Sequence, residues 1–272
     1  MKTHLLQGWR LAVKHFYIVI LLFLYQLVAG FFLYRFIDSV VSPLLRRYPG
    51  SFPSESAAQL FLTEAQFRLF KTDLITPYLW ILGGLLAARM LLTPLINAGL
   101  FYSLQQTRDG GGGTRFLEGI RKTWKPVLLL YWLESALALA PAWWLLPRGL
   151  DSLLASGNVP ELLADVLPGA SLWLAWATVL RLLSLAAQFG AASGEGIFRS
   201  LWKAVRNFLM YAAISLVLWA AGAALGLVVS GLSLIWAGLL ALIVHQGYHL
   251  VRTLVKVWTI ASQIDYLQSK QA

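Results

Sequence analysis

Six long apolar runs, separated by shorter polar segments, dominate the pattern of hydrophobic and polar positions along the chain. An α-helix rises 1.5 Å per residue, so it needs roughly 20 mostly apolar residues to cross about 30 Å of hydrocarbon. The runs that meet this length lie at about 16–37, 77–104, 126–146, 170–192, 208–229 and 233–258. They predict an all-α integral membrane protein with one six-span domain over residues 1–272.

Composition excludes the common classes of soluble protein. Hydrophobic residues make up 58% of the chain and charged residues 12%, against roughly 25% charged in an ordinary soluble domain. A mean hydropathy of +0.68 is more than one core of a water-soluble globule this size can hide. The chain has no cysteine, which excludes disulfides, thiol catalysis and cysteine-ligated metal sites.

The Lys and Arg residues are distributed unevenly between the two sides of the predicted spans. With a cytoplasmic N-terminus, three precede the first span, five lie between the second and third, three between the fourth and fifth, and three at or beyond the end of the sixth. Fourteen are then inside and six outside. Because cytoplasmic loops carry the excess of Lys and Arg, we expect both termini in the cytoplasm.

A basic, aromatic-bearing stretch precedes alternate spans. Residues 9–16 and 202–208 share a Trp, basic residues and a final Phe, and residues 120–126 have the same character. Such stretches are suited to lying at the headgroup layer. They predict three helical hairpins, each preceded by a short cytoplasmic amphipathic helix. The alternative is that the excess of positive charge inside makes any such segment basic.

One segment carries a resemblance to known proteins. Residues 196–208 (Gly-Ile-Phe-Arg-Ser-Leu-Trp-Lys-Ala-Val-Arg-Asn-Phe), two spans and a terminal Gln263-Ile264-Asp265-Tyr266 cover about the last third of the chain. This part resembles uncharacterised bacterial multi-span families related to the membrane domain found beside glycerophosphodiester phosphodiesterases. The resemblance implies an accessory domain in the bacterial cytoplasmic (inner) membrane, without the metal-binding hydrolase domain and without assigned chemistry.

Two segments on the outer side have an amphipathic helical pattern. In residues 54–74, apolar positions such as Leu60, Phe67 and Leu74 alternate with charged ones, and residues 150–167 repeat the pattern. Both are expected to form helices that rest on the outer interface or cap the bundle. A partner-binding surface is the alternative.

Charged side chains within the spans are the strongest functional lead. A charge at the bilayer centre costs about 2.5–3.5 kcal/mol on insertion scales, so it needs a partner or a function. Arg89, Glu134 and Arg181 lie in the second, third and fourth predicted spans. Counted from the inner end of each span, with Asn97 as that of the second, they lie about 12–16 Å deep. We therefore expect one carboxylate level with two guanidinium groups.

Three interpretations of this centre remain open. A buried Arg–Glu pair would fix the register of neighbouring helices. Two Arg against one Glu would alternatively leave a net positive site suited to a phosphate or carboxylate group. In the third interpretation, either Arg extends to an interface. Gln188 lies seven residues beyond Arg181 on the same helical face, where it would extend the polar surface towards the cytoplasm.

The sixth predicted span carries a second polar stripe. His245, His249, Arg252 and Lys256 follow one another at spacings of four, three and four, which places them on one helical face. Two His four residues apart can bind a metal, but the chain has no HExxH motif and offers only Glu134 as a third ligand. A proton-relaying pair is another possibility. The default is a hydrogen-bonded pair and a basic end at the lipid headgroups.

These residues do not assemble a nucleophile, a base and a group that orients the base, so we expect no enzymatic activity and no cofactor or metal. The predicted function is that of an accessory or scaffold protein. Its expected partners are membrane lipids, including anionic headgroups at the cytoplasmic face, and a membrane protein or a second copy of the chain. Nucleic acid is not expected, because lipid contact accounts for basic charges beside Trp at span ends. The alternative function is a small transporter or flippase for an anionic or lipid-linked substrate that uses the Arg/Glu centre.

Overall fold

The fold is entirely helical in the part of the chain that the structure describes. The computed structural model describes residues 2–46, 60, 63, 76–108, 115–155, 159–235 and 239–269. Within these ranges the helices are joined by short turns, and no strand occurs. The all-α prediction is therefore confirmed.

Nine helices account for these ranges. In chain order they are α1 (Lys2–Lys14), α2 (Phe16–Leu45), α3 (Thr76–Arg108), α4 (Phe116–Leu139), α5 (Ala142–Ala155), α6 (Val159–Ser193), α7 (Ile197–Arg206), α8 (Phe208–Ile235) and α9 (Leu239–Ser269).

Five helical segments of the described residues are long and apolar enough to cross a membrane. They are Phe16–Ser39, Thr76–Gln106, Phe116–Gly149, Leu163–Ser193 and Phe208–Leu232. These segments correspond to the first five predicted spans. The sixth, 233–258, includes residues 236–238, which lie outside the described residues, and otherwise falls on the end of α8 and on α9.

Two prolines shape the third predicted span differently. Pro141 cannot donate a backbone hydrogen bond, and α4 ends at Leu139 just before it, so the run 126–146 is divided between α4 and α5. By contrast, α4 passes unbroken through Pro126, where the neighbouring Thr123 and Val127 are buried. The amphipathic stretch expected before this span is therefore continuous with it rather than a separate helix.

The two amphipathic segments expected on the outer side have different outcomes. Residues 54–74 lie outside the described residues, apart from Leu60 and Thr63. Residues 150–167 were expected to form a helix of their own, but they are divided between two helices. Residues 150–155 end α5, and residues 159–167 begin α6, which continues to Ser193. Residues 159–167 belong to the same helix as the fourth predicted span because no residue among them ends α6, and α6 also continues through Pro168.

The described residues belong to two compact units. The smaller, Leu21–Thr93, holds most of α2 and the first half of α3. Tyr25 and Thr93 share a hydrogen bond of 3.1 Å between their hydroxyls, and the rings of Phe36 and Tyr78 lie 6.3 Å apart. The larger unit consists of Met1–Ile20 and Pro94–Ala272.

Most of the buried residues of the larger unit lie at one end of its helices, which we call the packed end. It consists of α1, the first three turns of α4, α7, and the helix ends that these contact: the C-terminal ends of α3, α6 and α9 and the start of α8. Leu182, Ala204, Tyr211 and Leu267 form one apolar cluster that joins four of these helices.

The amphipathic stretches belong to α1, the first three turns of α4 and α7, and we give the name to these whole segments. Each packs against the C-terminal end of another helix through a small residue. Gly8 of α1 lies against Ser262 of α9, so closely that a Cβ atom would collide with it. Gly119 of α4 lies against Tyr102 of α3 in the same way. In α7 the small residue is Ser200, whose hydroxyl donates to the Ala186 carbonyl of α6 at 2.6 Å.

A second small buried residue follows the first after four positions in all three stretches. The pairs are Gly8 and Ala12, Gly119 and Thr123, and Ser200 and Ala204. This spacing places both residues of a pair on one helical face, where two backbones can approach closely.

The seventh position after the first small residue is a helix break in two stretches and a Pro in the third. Two of these positions, His15 and Asn207, are the single non-helical residues that separate α1 from α2 and α7 from α8. His15 Nδ1 donates to the carbonyl four residues earlier at 2.9 Å, and Asn207 Nδ2 does the same at 3.0 Å. In α4 the position is occupied by Pro126.

Candidate functional site

A partly buried network of hydrogen bonds, centred on the fully buried Gln188, joins three helices of the larger unit. Gln188 of α6 has no exposed surface. Its side-chain oxygen accepts a bond from Asn97 Nδ2 of α3 at 3.3 Å, and its Nε2 donates to Glu134 Oε2 of α4 at 3.2 Å. Nε2 also donates to Ser184 Oγ at 2.9 Å. We call these four residues the polar network.

Buried residues surround Gln188 at the end of α6. The segment reads Ala186-Ala187-Gln188-Phe189-Gly190, and every one of these residues is buried. Phe189 packs edge to face on Phe101 of α3 at 6.3 Å between ring centroids. These apolar contacts exclude solvent from the amide, which makes its hydrogen bonds costly to lose.

The three sequence-predicted charges have different surroundings. Arg181 lies two turns before Gln188 and is exposed, and it is near enough to attract the Glu134 carboxylate. No ion pair joins Arg181 to Glu134, although the structure describes both side chains. Arg89 belongs to the smaller unit and is also exposed. The structure thus joins Glu134 directly to Gln188 rather than to an Arg.

Asn97 was expected to mark the inner edge of the second span, but α3 continues past it to Arg108. Asn97 is buried and bonded to Gln188. A polar amide after an apolar run can mark either a membrane boundary or a buried hydrogen bond. Sequence spacing gives its depth but not the side of the helix that another helix covers.

The stripe on α9 is only partly described. The side chain of His245 lies outside the described residues, while His249 and Arg252 are exposed and Lys256 is half-buried. The ring of His249 lies 6.3 Å from that of Tyr248, whose hydroxyl donates to the Gly222 carbonyl of α8 at 3.1 Å. In the described part of the chain, no three His, Cys, Asp or Glu side chains come together to hold a metal ion.

A second polar cluster, between α1 and α9, was missed from the sequence. Asp265 is 3% exposed and accepts a bond of 2.7 Å from His4 Nδ1. With the amide of Gln7 oriented so that its nitrogen faces the carboxylate, Gln7 also donates to Asp265 at 2.7 Å. Trp258 Nε1 donates to the Leu5 carbonyl at 2.8 Å. These bonds attach α1 to the end of α9.

Two signals in the sequence could have revealed this attachment. Gly8 and Ala12 have the small-x-x-x-small spacing of a helix–helix contact, within a stretch expected to lie on lipid. Beyond Trp258, apolar Ile264 and Leu267 continue among polar residues, a pattern typical of a partly buried helix. In the structure, all residues from Ile260 to Leu267 are buried.

The amphipathic stretches carry exposed large apolar side chains, although the ring of Trp9 also contacts that of Trp258 at 5.0 Å between centroids. Trp202 is 70% exposed and Phe198 87%, and Trp9 and Trp124 are exposed in the other two stretches. Basic residues interleave with them, and an exposed Trp beside basic residues is typical of a helix at the headgroup layer.

Comparison with known proteins gives no match: no family model, no curated protein and no solved structure matches the chain.

Proposed function

We propose that the chain is a non-enzymatic scaffold or accessory protein of the bacterial inner membrane, built from six spans in three hairpins. Its packed end would lie at the cytoplasmic face, on anionic lipid headgroups. Its spans would contact lipid and a membrane partner, either another protein or a second copy of the chain. Different observations support the hairpins, the orientation and the scaffold role.

The contact between α1 and α9 supports six spans. Because α1 packs on the segment from Trp258 to Leu267, these two parts of the chain would lie on the same side of a membrane. An even number of crossings must then separate them. Five helical segments have the length and hydropathy of a span, and α9 would be the sixth.

The shared register of the amphipathic stretches supports three repeated hairpins. Each stretch has a buried small pair four residues apart and a helix break or a Pro seven residues after the first member. In this register, residues 12–16 (Ala-Val-Lys-His-Phe) and 204–208 (Ala-Val-Arg-Asn-Phe) share Ala, Val and Phe and a basic residue at the third position. An excess of positive charge alone does not require buried residues to recur in phase, so this observation favours a true repeat.

Charge supports a cytoplasmic packed end. The helices α1, α4 and α7 carry nine of the fourteen basic residues that the sequence assigns to the inner side. Such charges are attracted to the anionic inner leaflet. The resemblance to bacterial families remains the reason for choosing a bacterial inner membrane.

The observation that carries the scaffold role is how little of the spans the chain buries by itself. In the most apolar window of each candidate span, only 11–17% of the residues are buried. The rest of this apolar surface is available to lipid or to another membrane protein. The polar network, meanwhile, directs Asn97, Gln188 and Glu134 towards one another, as expected for a structural contact.

Purification in a mild detergent tests this role. We expect the full chain to elute with a stoichiometric protein partner or as a homo-oligomer. A photo-crosslinker at Trp143, which is 90% exposed, should trap the same partner, whereas one at the buried Phe189 should not. A lone monomer that traps only lipid and is stabilised by a soluble small-molecule anion would contradict a scaffold.

A variant at Arg181 separates the scaffold from a transporter. A transporter of anions would use Arg181, so Arg181→Gln would abolish stabilisation by the anion and movement across vesicles, with the protein still folded. For the scaffold we expect Arg181→Gln to keep both its folding and its partner, because the Arg181 side chain is exposed and forms no ion pair with Glu134.

A further inference from the structure

An open groove of about 330 Å³ lies at the junction of α7 and α8, beside the end of α9. It is lined by Arg206, Asn207, Leu209, Met210, Ala213 and Tyr266. We propose that this groove holds one anionic phospholipid, with its phosphate at Arg206 and its acyl chains along α8. This proposal rests on the membrane placement proposed above and adds a defined lipid site to it.

The charged end of the groove is suited to a phosphate. Arg206 is exposed and, among the described residues, forms no ion pair. No acidic residue in the part of the chain that the structure describes lines the groove, and Glu195, at the other end of α7, is paired with Lys203 at 3.3 Å. A guanidinium presents a planar fork of N–H donors that matches two phosphate oxygens at once.

The other end of the groove is suited to acyl chains. Leu209 is 89% exposed and Met210 is partly exposed, although both lie in the first turn of a candidate membrane span. Within α8, Leu209 to Ala213 is four residues, a rise of about 6 Å, and Arg206 lies just before the helix break, so one molecule with a charged head and apolar chains can contact both ends. Tyr266, which is 7% exposed, closes the side of the groove formed by α9.

Basic residues at the equivalent position of the other two amphipathic stretches support a lipid headgroup at the level of Arg206. Arg206 is the sixth residue after Ser200, and the residues in the same position after Gly8 and Gly119 are Lys14 and Lys125. All three basic side chains are exposed. A basic residue thus recurs immediately before each helix break or Pro, the level at which a span would leave the headgroup layer.

Lipid binding by the full chain in detergent tests the proposal. The probes are phosphatidylglycerol and phosphatidylcholine with identical acyl chains, counted as bound lipid by native mass spectrometry. We expect Arg206→Gln to weaken binding of phosphatidylglycerol about tenfold and to leave phosphatidylcholine unchanged, since a charged hydrogen-bonded pair is lost. The matched control is Arg199→Gln, which removes an exposed charge from α7 outside the groove and should change binding less than twofold.

A second measurement does not depend on the folding of an Arg206 variant. A photo-crosslinker at Leu209, with Arg206 intact, should trap phosphatidylglycerol preferentially over phosphatidylcholine. At Leu216, which is exposed two turns further along α8, it should trap both lipids equally. Inorganic phosphate should not compete with the lipid at either position, because it lacks the chains that occupy the apolar end.

Three results would overturn the site. They are equal losses for the Arg206 and Arg199 variants, equal trapping of the two lipids at Leu209, and displacement of the lipid by inorganic phosphate. The first two would indicate a diffuse positive field, and the third a site for free anions. None of them concerns partner binding, so the scaffold proposal would still stand or fall on its own experiment.

Discussion

At the scale of single residues, Gln188 is the residue on which the packing of α3, α4 and α6 depends most. It has no exposed surface and connects α3, α4 and the preceding turn of its own helix through three hydrogen bonds. Removing one partner from a buried polar pair leaves the other unsatisfied, which costs more than the bond itself contributes. The polar network therefore positions three helices through one amide.

We predict that Gln188→Leu lowers the free energy of unfolding by about 2 kcal/mol, because Asn97 and Glu134 both lose their bond to the amide. Unfolding in detergent, followed by circular dichroism, measures the change. The matched control is Gln246→Leu, the same substitution at an exposed position of α9, and we expect it to be neutral. Equal losses for the two variants would show that the network contributes nothing specific.

Glu134→Gln tests whether a negative charge is needed at the centre. The amide keeps an oxygen that can accept the bond from Gln188 Nε2, so we expect unfolding to change by less than about 1 kcal/mol. Glu134→Leu, which removes the acceptor, should be clearly less stable. If Glu134→Gln and Glu134→Leu were equally unstable, the carboxylate charge would matter more than its hydrogen bond.

At the scale of helices, the small residues of the amphipathic stretches determine how each stretch packs. Gly8 lies against the backbone and side chain of Ser262, whereas Gly231 of α8 faces open space. Replacing either Gly with Ala stabilises the helix by roughly 1 kcal/mol through helix propensity, so only the packing of the added Cβ distinguishes the two substitutions.

We predict that Gly8→Ala lowers stability by about 1–3 kcal/mol, since the added Cβ must push α1 away from α9. Gly231→Ala should be neutral or stabilising. Thermal unfolding of both variants in the same detergent gives the comparison. Should Gly8→Ala prove as stable as Gly231→Ala, the close approach of α1 to α9 is not present in the membrane.

Sequence patterns predicted the helices better than their contacts, for a physical reason. Hydropathy reports how much apolar surface a segment carries, and it located the first five candidate spans. In a membrane both lipid and protein can cover that surface, so hydropathy does not say which side faces another helix. Asn97 and Asp265 were accordingly not recognised as buried, and Gln188 was assigned to a polar surface rather than to a hydrogen bond with Glu134.

At the scale of the whole molecule, the larger unit combines a well-packed end with spans that bury little of their own surface. The small pairs and the polar residues that join helices lie mainly in α1, α7, the first turns of α4 and the C-terminal halves of α3, α6 and α9. We expect this end to fold as a cooperative unit. The apolar surface of the remaining turns is available to lipid and to a partner.

The absence of cysteine from the natural sequence allows a direct test of the six-span arrangement. Single cysteines would replace Lys2, Arg115, Asp151 and Ser269, all of them exposed, and intact cells would be treated with a membrane-impermeant maleimide. We predict labelling at residue 151 alone, with the other three labelled only after the membrane is made permeable. Labelling of residues 2 and 269 from opposite sides would contradict the arrangement, because α1 could not then pack against the end of α9.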